Sequence, residues 1–273
     1  MAYSSEQESA GAVRGFVPPQ NEEERLLMRR VGELCERAQQ RAMPQYTGFL
    51  SDREQTLAQA ALHRAECSCA HFDGGYPEAE RKVLCIEPPD TWQEQPWGVV
   101  CFTAHPLSGE RAPTHRDYLG AILGLGLRRA CVGDLLPDPQ MPLQCYAVVL
   151  QDKAEWIAAE LTSAGRCPVT AQLCEQLPEQ VRQGPPHVIQ QASVSSLRAD
   201  AVLAAMMHTS RGNAAEYIAA GKVEINHLPL RAAHEQLYAQ DIITVRGTGR
   251  YRLVALGGKT RKDRQFITFF QYT

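Results

Sequence analysis

Three segments follow one another in the last third of the chain: Leu197-Arg198-Ala199-Asp200, Ser210-Arg211, and Ala220-Gly221-Lys222-Val223-Glu224-Ile225-Asn226. Asp241-Ile242-Ile243 comes after them. Apolar residues recur at helical spacing around the first two segments and alternate with polar residues in the third. Together the segments predict two short helices packed against a small antiparallel sheet.

The first helix is predicted over residues 197–207, with Ser195 or Ser196 as its N-cap. This prediction places Arg198 and Asp200 in its first turn. A second helix is predicted from Ser210, another N-capping residue type, to the region before Gly221, which favours the left-handed stop of a helix.

Arg211 is predicted to lie at the start of the second helix. Free N–H groups and the positive end of the helix dipole meet there, and both favour an anion. Asn226-His227 is predicted to form a turn, and residues 242–245 a second apolar strand. A helix terminus beside basic side chains suits a phosphate backbone, so the predicted partner is RNA.

This order of motifs resembles the S4 RNA-binding domain. That domain opens with Arg-Leu-Asp, has Ser-Arg at its second helix, and continues with a Gly-x-Val-x-Val-Asn strand and a late Gly-Asp-x-Ile. Here Ala199 replaces the usual Leu, His227 stands where many members have Gly, and Gly212-Asn213 replaces a more frequent Ser-Lys. The resemblance implies that these residues of the helix pair and the following strand contact RNA: Arg198, Ser210, Arg211, Lys222 and Asn226.

Further segments extend the resemblance to the YlmH family of bacterial RNA-binding proteins, from about Glu22 onward. They are residues 72–82 (FDGGYPEAERK), 114–120 (THRDYLG), 124–127 (GLGL), 133–136 (GDLL), 245–253 and 257–262. The resemblance implies a non-enzymatic protein that associates with the large ribosomal subunit and with rRNA or tRNA. It also implies translation-linked ribosome quality control, an older link to cell division, and no cofactor.

Composition places the chain among globular proteins, since 44% of its 273 residues are hydrophobic. No apolar run approaches the ~18 residues that span a bilayer. Residues 1–20 lack the apolar core of a signal peptide and include Glu6 and Glu8. Nine cysteines at irregular spacing do not suggest a disulfide framework. We expect a soluble, cytoplasmic protein with no membrane partner.

Charge is unevenly divided along the chain, although the net charge is only −3. Residues 192–273 contain 11 Lys plus Arg against 6 Asp plus Glu, a balance of +5, and the remainder contains 17 against 25, a balance of −8. A local basic footprint is typical of a domain that binds phosphate. The acidic remainder leaves open a protein partner at the N-terminal part.

Domain boundaries are predicted from breaks in composition and pattern. We expect a disordered tail over residues 1–20 and a helical lead-in over 21–72. In the lead-in, Asn21 caps one helix, and Ser51 with Glu54 forms a capping box for a second helix that ends near Arg64. Residues 183–191 are a predicted linker, and residues 192–273 the S4-type domain.

The middle region, residues 73–182, is predicted to be an α+β sandwich. Strand-like runs occur at 83–86, 97–102, 130–136, 143–150 and 168–173, with one helix starting at Thr114 and another over residues 153–164, stopped by Gly165. The order β-β-α-β-β-α-β is typical of a ferredoxin-like or RRM-like fold with helices on one face of the sheet. In the YlmH family this region is itself regarded as RNA-binding.

Candidate catalytic or metal-binding groups are few. Cys67-x-Cys69-x-His71 is compact, but zinc requires about four ligands and no second pair lies at suitable spacing. Glu78 and Glu80, with Arg81 and Lys82 beside them, are typical of a solvated charged turn rather than of an acid–base pair. We predict no catalytic residue and no metal ligand.

Two further basic segments are candidate RNA contacts. Thr114 and Asp117 are predicted to cap a helix from which His115 and Arg116 project, and the family resemblance favours a phosphate contact there. The second segment is the tip of a predicted hairpin, where clustered cations repel one another unless counterions or phosphates lie near; a solvated turn is the alternative. The contacts predicted in and around this hairpin are Arg246, Arg250, Lys259, Arg261 and Lys262.

Two alternatives stay open at this point. The S4 domain also accompanies pseudouridine synthases and some methyltransferases, so an RNA-modifying enzyme is the chief rival. Against it, the chain lacks a Gly-rich cofactor loop and a convincing catalytic constellation. An RNA-tethered protein adaptor is the third hypothesis.

Overall fold

The structure, a computed structural model, describes residues 14–183 and 188–272 and divides into two compact units. The large unit comprises residues 18–183, and the C-terminal unit comprises residues 14–17 together with 188–272. Residues 1–13 of the predicted tail and 184–187 of the predicted linker lie outside the described residues. Within the described ranges, no helix is both long enough and apolar enough to cross a bilayer.

The large unit begins with two helices on a three-stranded antiparallel sheet, whose order is β1-β3-β2. Its elements are α1 (Glu22–Arg41), β1 (Gln45–Leu50), α2 (Asp52–Arg64), β2 (Ala70–Asp73) and β3 (Lys82–Ile86). The predicted caps are confirmed: Asn21 accepts from the Glu24 N–H, and Ser51 and Glu54 form a capping box. The lead-in is not wholly helical, however, because β1 and β2 lie within it.

A second antiparallel sheet follows, in the order β5-β6-β4-β8-β7. Its elements are β4 (Trp97–Ala104), α3 (His115–Gly124), β5 (Val132–Pro137), β6 (Gln144–Leu150), α4 (Gln151–Glu160), β7 (Ser163–Ala164) and β8 (Cys167–Cys174), with α5 (Glu179–Arg182) after them. The path β4-α3-β5-β6-α4-β8 and the order β5-β6-β4-β8 match the predicted ferredoxin-like arrangement.

Two predictions for this region are wrong. The run at residues 83–86 is β3, which pairs with β1 and β2 in the first sheet. Helix α4 ends at Glu160 rather than at Ala164, because Ser163–Ala164 forms a hairpin with β8 across Gly165, whose φ is +60°. Long-range pairing has overridden the local helical pattern there.

The large unit consists of four layers: helices α1 and α2, the first sheet, the second sheet, and helices α3 and α4. Phe49, Val83 and Cys85 of the first sheet pack against Val99 and Val148 of the second. An RRM binds RNA on the sheet face that its helices leave open. Here that face is covered over β4 and β6 by the first sheet, so the RRM mode of binding is blocked at these strands.

The C-terminal unit is a helix pair on a six-stranded antiparallel sheet in the order β11-β10-β12-β13-β14-β9. Its elements are β9 (Gln190–Val194), α6 (Ala199–Met206), α7 (Arg211–Ala219), β10 (Val223–Ile225), β11 (Leu228–Pro229), β12 (Ile242–Val245), β13 (Gly249–Lys259) and β14 (Gln265–Gln271). The predicted left-handed stop is confirmed at Gly221, with a φ of +64°. The predicted linker is wrong at its end, because Gln190 already belongs to β9.

Candidate nucleic-acid interface

The helix pair brings Arg198 and Arg211 together around one carboxylate. Arg198 Nη2 lies 3.1 Å from Asp200 Oδ2, and Arg211 Nη2 lies 2.8 Å from the same oxygen. The Asp200 side chain is 10% exposed, whereas about half of each arginine side chain faces solvent. The two guanidinium groups are therefore held in place on their inner side and remain accessible on their outer side.

The start of α6 differs from the prediction. Arg198 is the N-cap residue, and the helix begins at Ala199 rather than at Leu197. The reason is a tertiary one: Leu197 accepts a hydrogen bond from the Leu237 N–H, and the Ala199 N–H donates to the Glu235 carbonyl. Neither Ser195 nor Ser196 caps the helix, because the chain is still extended at Arg198.

The start of α7 agrees with the prediction. Ser210 Oγ accepts from the Asn213 N–H at 3.1 Å, and Arg211 is the first helical residue. Arg211 is exposed, as are Ser210 and the next two residues. The α7 terminus thus offers an accessible turn of positive potential beside a guanidinium group.

Asp200 carries a negative charge at neutral pH despite its burial. Burial by itself raises the pKa of a carboxyl group, but hydrogen bonds from Arg198 and Arg211 outweigh that effect and lower the pKa of Asp200. The cluster of two guanidinium groups and one carboxylate therefore has a net charge of about +1.

Lys222 and Asn226 lie in different surroundings. Lys222 is exposed, with Nζ 5.5 Å from the centroid of the Tyr217 ring. Asn226 is half-buried: its Nδ2 donates to Asp241 Oδ1 at 2.9 Å, and its Oδ1 accepts from the Ile242 N–H at 2.8 Å. The Asn226 side chain therefore joins β10 to β12, rather than extending toward solvent with Arg211.

The β12–β13 turn and the β13–β14 hairpin tip lie at opposite ends of β13. The Arg246 N–H donates to the Lys222 carbonyl, and the Arg250 guanidinium lies 4.6 Å from the Tyr272 ring centroid. Arg250 and Lys259, at the other end, are nine residue steps apart along the strand, or roughly 30 Å. The predicted contacts thus do not form a single patch.

The hairpin tip is only partly neutralised. Lys259 Nζ pairs with Asp263 at 2.7 Å, and the Arg264 Nε donates to Ser193 Oγ on β9 at 3.1 Å. The side chains of Arg261 and Lys262 are exposed and have no hydrogen bond or ion pair with any residue that the structure describes. Val194 lies opposite Gln265, four residues before Arg198, so the tip is at the end of the sheet where the helix pair begins.

His115 and Arg116 occupy the first turn of α3 in the large unit, and both are exposed. The Thr114 N–H and hydroxyl donate to Asp117 Oδ2, which confirms the capping box. Partial desolvation and the charge of Arg129 lower the pKa of His115. His115 is therefore neutral at pH 7, and of the two predicted contacts at this helix start Arg116 is the one that carries charge.

Two predictions about charged or tail residues are wrong. Arg81 is half-buried and hydrogen-bonded to two backbone carbonyls, not part of a solvated turn. Arg14, expected in a disordered tail, donates to Asp241, Glu235 and the Gln236 carbonyl. No local sequence pattern predicts either set of contacts. The partners of Arg14 are more than 200 residues away in sequence, and those of Arg81, Val132 and Phe49, are more than 30 residues away.

The segment from Cys67 to His71 brings two thiols close together. Cys67 Sγ and Cys69 Sγ lie 3.9 Å apart, and burial raises the pKa of each. Within residues 14–183 and 188–272, no group of three or more His, Cys, Asp or Glu is placed to hold a metal ion.

Fold and site together define an α+β protein whose C-terminal unit presents a basic helix pair on an antiparallel sheet. The family model described as "YlmH, N-terminal" matches residues 23–91, from the first turn of α1 through β3 and the residues that follow it. The ribosome-associated protein quality control protein P2 of Bacillus subtilis (strain 168) is 32% identical over 227 residues, covering 82% of this chain and 85% of that protein. The chain belongs to the YlmH family.

The cell division protein ylmH from Streptococcus pneumoniae is 17% identical and superimposes with a TM-score of 0.46, covering 59% of this chain and 96% of that chain.

Proposed function

We propose that this protein is a non-enzymatic RNA-binding protein of the ribosome, acting in translation-linked quality control. The observation that carries the proposal is the pair of half-exposed guanidinium groups, Arg198 and Arg211, held by Asp200 at the start of α7. Its Bacillus subtilis relative is named as a ribosome-associated quality control protein. The proposed ligands are the large-subunit rRNA or a bound tRNA.

Electrostatics favour the C-terminal unit as the main RNA-binding part. Residues 192–273 have a balance of +5, and their contact groups are the helix pair, Lys222 with Arg246, and the hairpin tip. Each phosphate that these groups neutralise releases condensed counterions, so affinity should fall steeply with salt. Asn226 is proposed as a support for this surface rather than as a direct contact.

The test is co-sedimentation with 30S, 50S and 70S particles at two salt concentrations. Wild-type protein should sediment with particles that contain the large subunit, and less so at higher salt. Arg211→Glu should reduce binding roughly tenfold or more, since deletion of one charged contact costs about 1.5–3 kcal/mol and reversal adds repulsion.

Arg25→Glu is the matched control, because Arg25 is an exposed arginine of the large unit whose ion pair is an exposed one, with Glu22 across one helical turn. Circular dichroism melts should show that both variants fold. Wild-type-like sedimentation of a folded Arg211→Glu protein would reject the helix pair as the RNA site. A modified nucleotide, found by mass spectrometry of RNA incubated with the protein, would instead favour an RNA-modifying enzyme.

A further inference from the structure

Three donor groups of one segment of the large unit, residues 76–81, converge on the Asp134 carboxylate. The Tyr76 hydroxyl donates to Asp134 Oδ2 at 2.8 Å, and the Glu80 N–H donates to the same oxygen at 2.7 Å. The Arg81 N–H approaches Oδ1 at 3.3 Å. The segment of residues 76–81 is thereby fixed against the start of β5.

This arrangement places two arginines side by side. Arg81 Nε donates to the Val132 carbonyl at 3.1 Å, and Arg81 Nη2 donates to the Phe49 carbonyl at 2.7 Å. Arg129 Nη1 donates to the same Val132 carbonyl and to the Gly133 carbonyl. Since the two guanidinium groups share one acceptor oxygen, their donor atoms lie within a few ångströms of each other.

All the acceptors of these two guanidinium groups are neutral. Among the residues that the structure describes, no carboxylate lies within ion-pair distance of Arg81 or Arg129. The charges of Glu54, Asp134 and Asp52 act to raise the pKa of Arg81 without an ion pair to it; Glu54 is engaged by Ser51 in the capping box of α2, and Asp134 by Tyr76. The positive charge of the pair is therefore not neutralised by direct contact.

The charge environment agrees with this geometry. Burial, and then the charge of Arg81, lower the pKa of Arg129 to about 10, and burial lowers the pKa of Arg81. Both groups stay charged at pH 7 and repel each other. Among the described residues, neither side chain has a buried nitrogen without a hydrogen-bond partner, so the nitrogens that make no hydrogen bond reach solvent.

We propose that Arg81 and Arg129 form a second anion site, which takes a phosphate group of the RNA bound by this protein. The carbonyls of Phe49, Val132 and Gly133 hold the two planar groups in position, and their solvent-facing N–H groups match the oxygens of one phosphate. This inference rests on the proposed function, and it assigns a phosphate contact to the large unit through loops rather than through the open sheet face of an RRM.

The first experiment uses the full wild-type chain and an arginine-specific dicarbonyl reagent, with modified positions mapped by mass spectrometry. A single-stranded RNA oligonucleotide should protect Arg81 and Arg129, whereas exposed Arg25 should be modified equally with and without RNA. Inorganic pyrophosphate is the second probe. Equal modification of the pair with and without RNA overturns the proposal, and protection by pyrophosphate alone assigns a small anion instead.

The second experiment compares RNA affinity across salt concentrations for Arg129→Gln, Arg129→Lys and the double variant Arg261→Gln/Lys262→Gln. Loss of one phosphate contact should lower the slope of log affinity against log salt by about 0.7 on single strands. Arg129→Gln should show this loss, and Arg129→Lys, which keeps the charge, should retain most of the slope.

The variants also separate the two proposals. A folded Arg129→Gln protein with wild-type affinity and slope rejects the second site, while an effect of the double variant still supports the C-terminal site. If Arg129→Gln does not fold, the protection experiment on the wild-type chain decides whether Arg81 and Arg129 bind RNA. If neither Arg129→Gln nor the double variant Arg261→Gln/Lys262→Gln lowers RNA affinity, RNA binding is rejected at both sites.

Discussion

The buried Asp241 carboxylate joins Arg14, which precedes the large unit in sequence, to residues 226–241 of the C-terminal unit. Its side chain is 1% exposed and accepts hydrogen bonds from Arg14 Nε at 3.0 Å, Asn226 Nδ2 at 2.9 Å and the Tyr238 N–H at 2.9 Å. Such a buried charge is costly unless it is paired and hydrogen-bonded. The late Asp of the S4-like motif thus stabilises the fold, and Arg14 belongs to the unit that it pairs with.

Replacing Arg14 should therefore destabilise the C-terminal unit. Arg14→Ala leaves Asp241 buried without its guanidinium partner, at an expected cost of about 2–3 kcal/mol. Hydrogen exchange of the β12 and β13 amides should accelerate accordingly. Tryptophan fluorescence melts should not change, because Trp92, Trp97 and Trp156 all lie in the large unit.

Arg25→Ala is the control for this prediction, since its ion pair with Glu22 is exposed and such pairs contribute about 0–1 kcal/mol. Unchanged hydrogen exchange of the β12 amides in Arg14→Ala would show that Arg14 does not stabilise the buried Asp241 carboxylate.

At the scale of elements, three helix starts follow local chemistry, whereas the start of α6 and the strand edges do not. Asn21, Ser51 and Ser210 each cap the helix that was predicted from them, because a cap involves residues only three apart. In contrast, β1 and β9 have no decisive local pattern. Strand β9 exists because Gln190–Val194 pairs with β14, more than 70 residues away in sequence.

Ser210 allows capping and RNA binding to be separated. Ser210→Ala removes the acceptor of the Asn213 N–H and should cost about 1 kcal/mol of stability. Ser210→Asp keeps a capping acceptor and should restore stability, but its carboxylate beside Arg211 should weaken RNA binding. The measurements are RNA affinity and thermal unfolding of both variants.

Asn21→Ala in the large unit provides the comparison, because it removes the N-cap of α1 and should cost a similar ~1 kcal/mol without changing RNA affinity. Wild-type RNA affinity of Ser210→Asp would place the phosphate away from the start of α7.

At the scale of the whole molecule, the chain passes between the two units twice. The large unit, residues 18–183, is inserted between residues 14–17 and 188–272 of the C-terminal unit. A C-terminal fragment that starts at Gln190 therefore contains β9 but lacks Arg14. Because of this topology, we expect such a fragment to lose the contacts that Arg14 makes with Asp241 and Glu235.

We expect a fragment of residues 190–273 to keep salt-dependent RNA affinity, because the helix pair and the hairpin tip are present. It should be less stable than the same unit in the full chain, by about the 2–3 kcal/mol predicted for Arg14→Ala. Affinity at several salt concentrations and urea unfolding are the measurements. A fragment that fails to bind, while residues 18–183 bind fully, would contradict the assignment of the main site.

Sequence alone determined several of the local elements and the family of this protein. Local interactions set the N-caps at Ser51 and Ser210 and the end of α7 at Gly221, because each involves residues only a few positions apart in sequence. The α+β order likewise follows from the local spacing of apolar residues. Tertiary structure alone decided the pairing of Arg14 with Asp241, the proximity of Arg81 to Arg129, and the covered face of the second sheet. Each of these depends on groups brought together only by the packed layers, and their charge, burial and exposure are set by that packing.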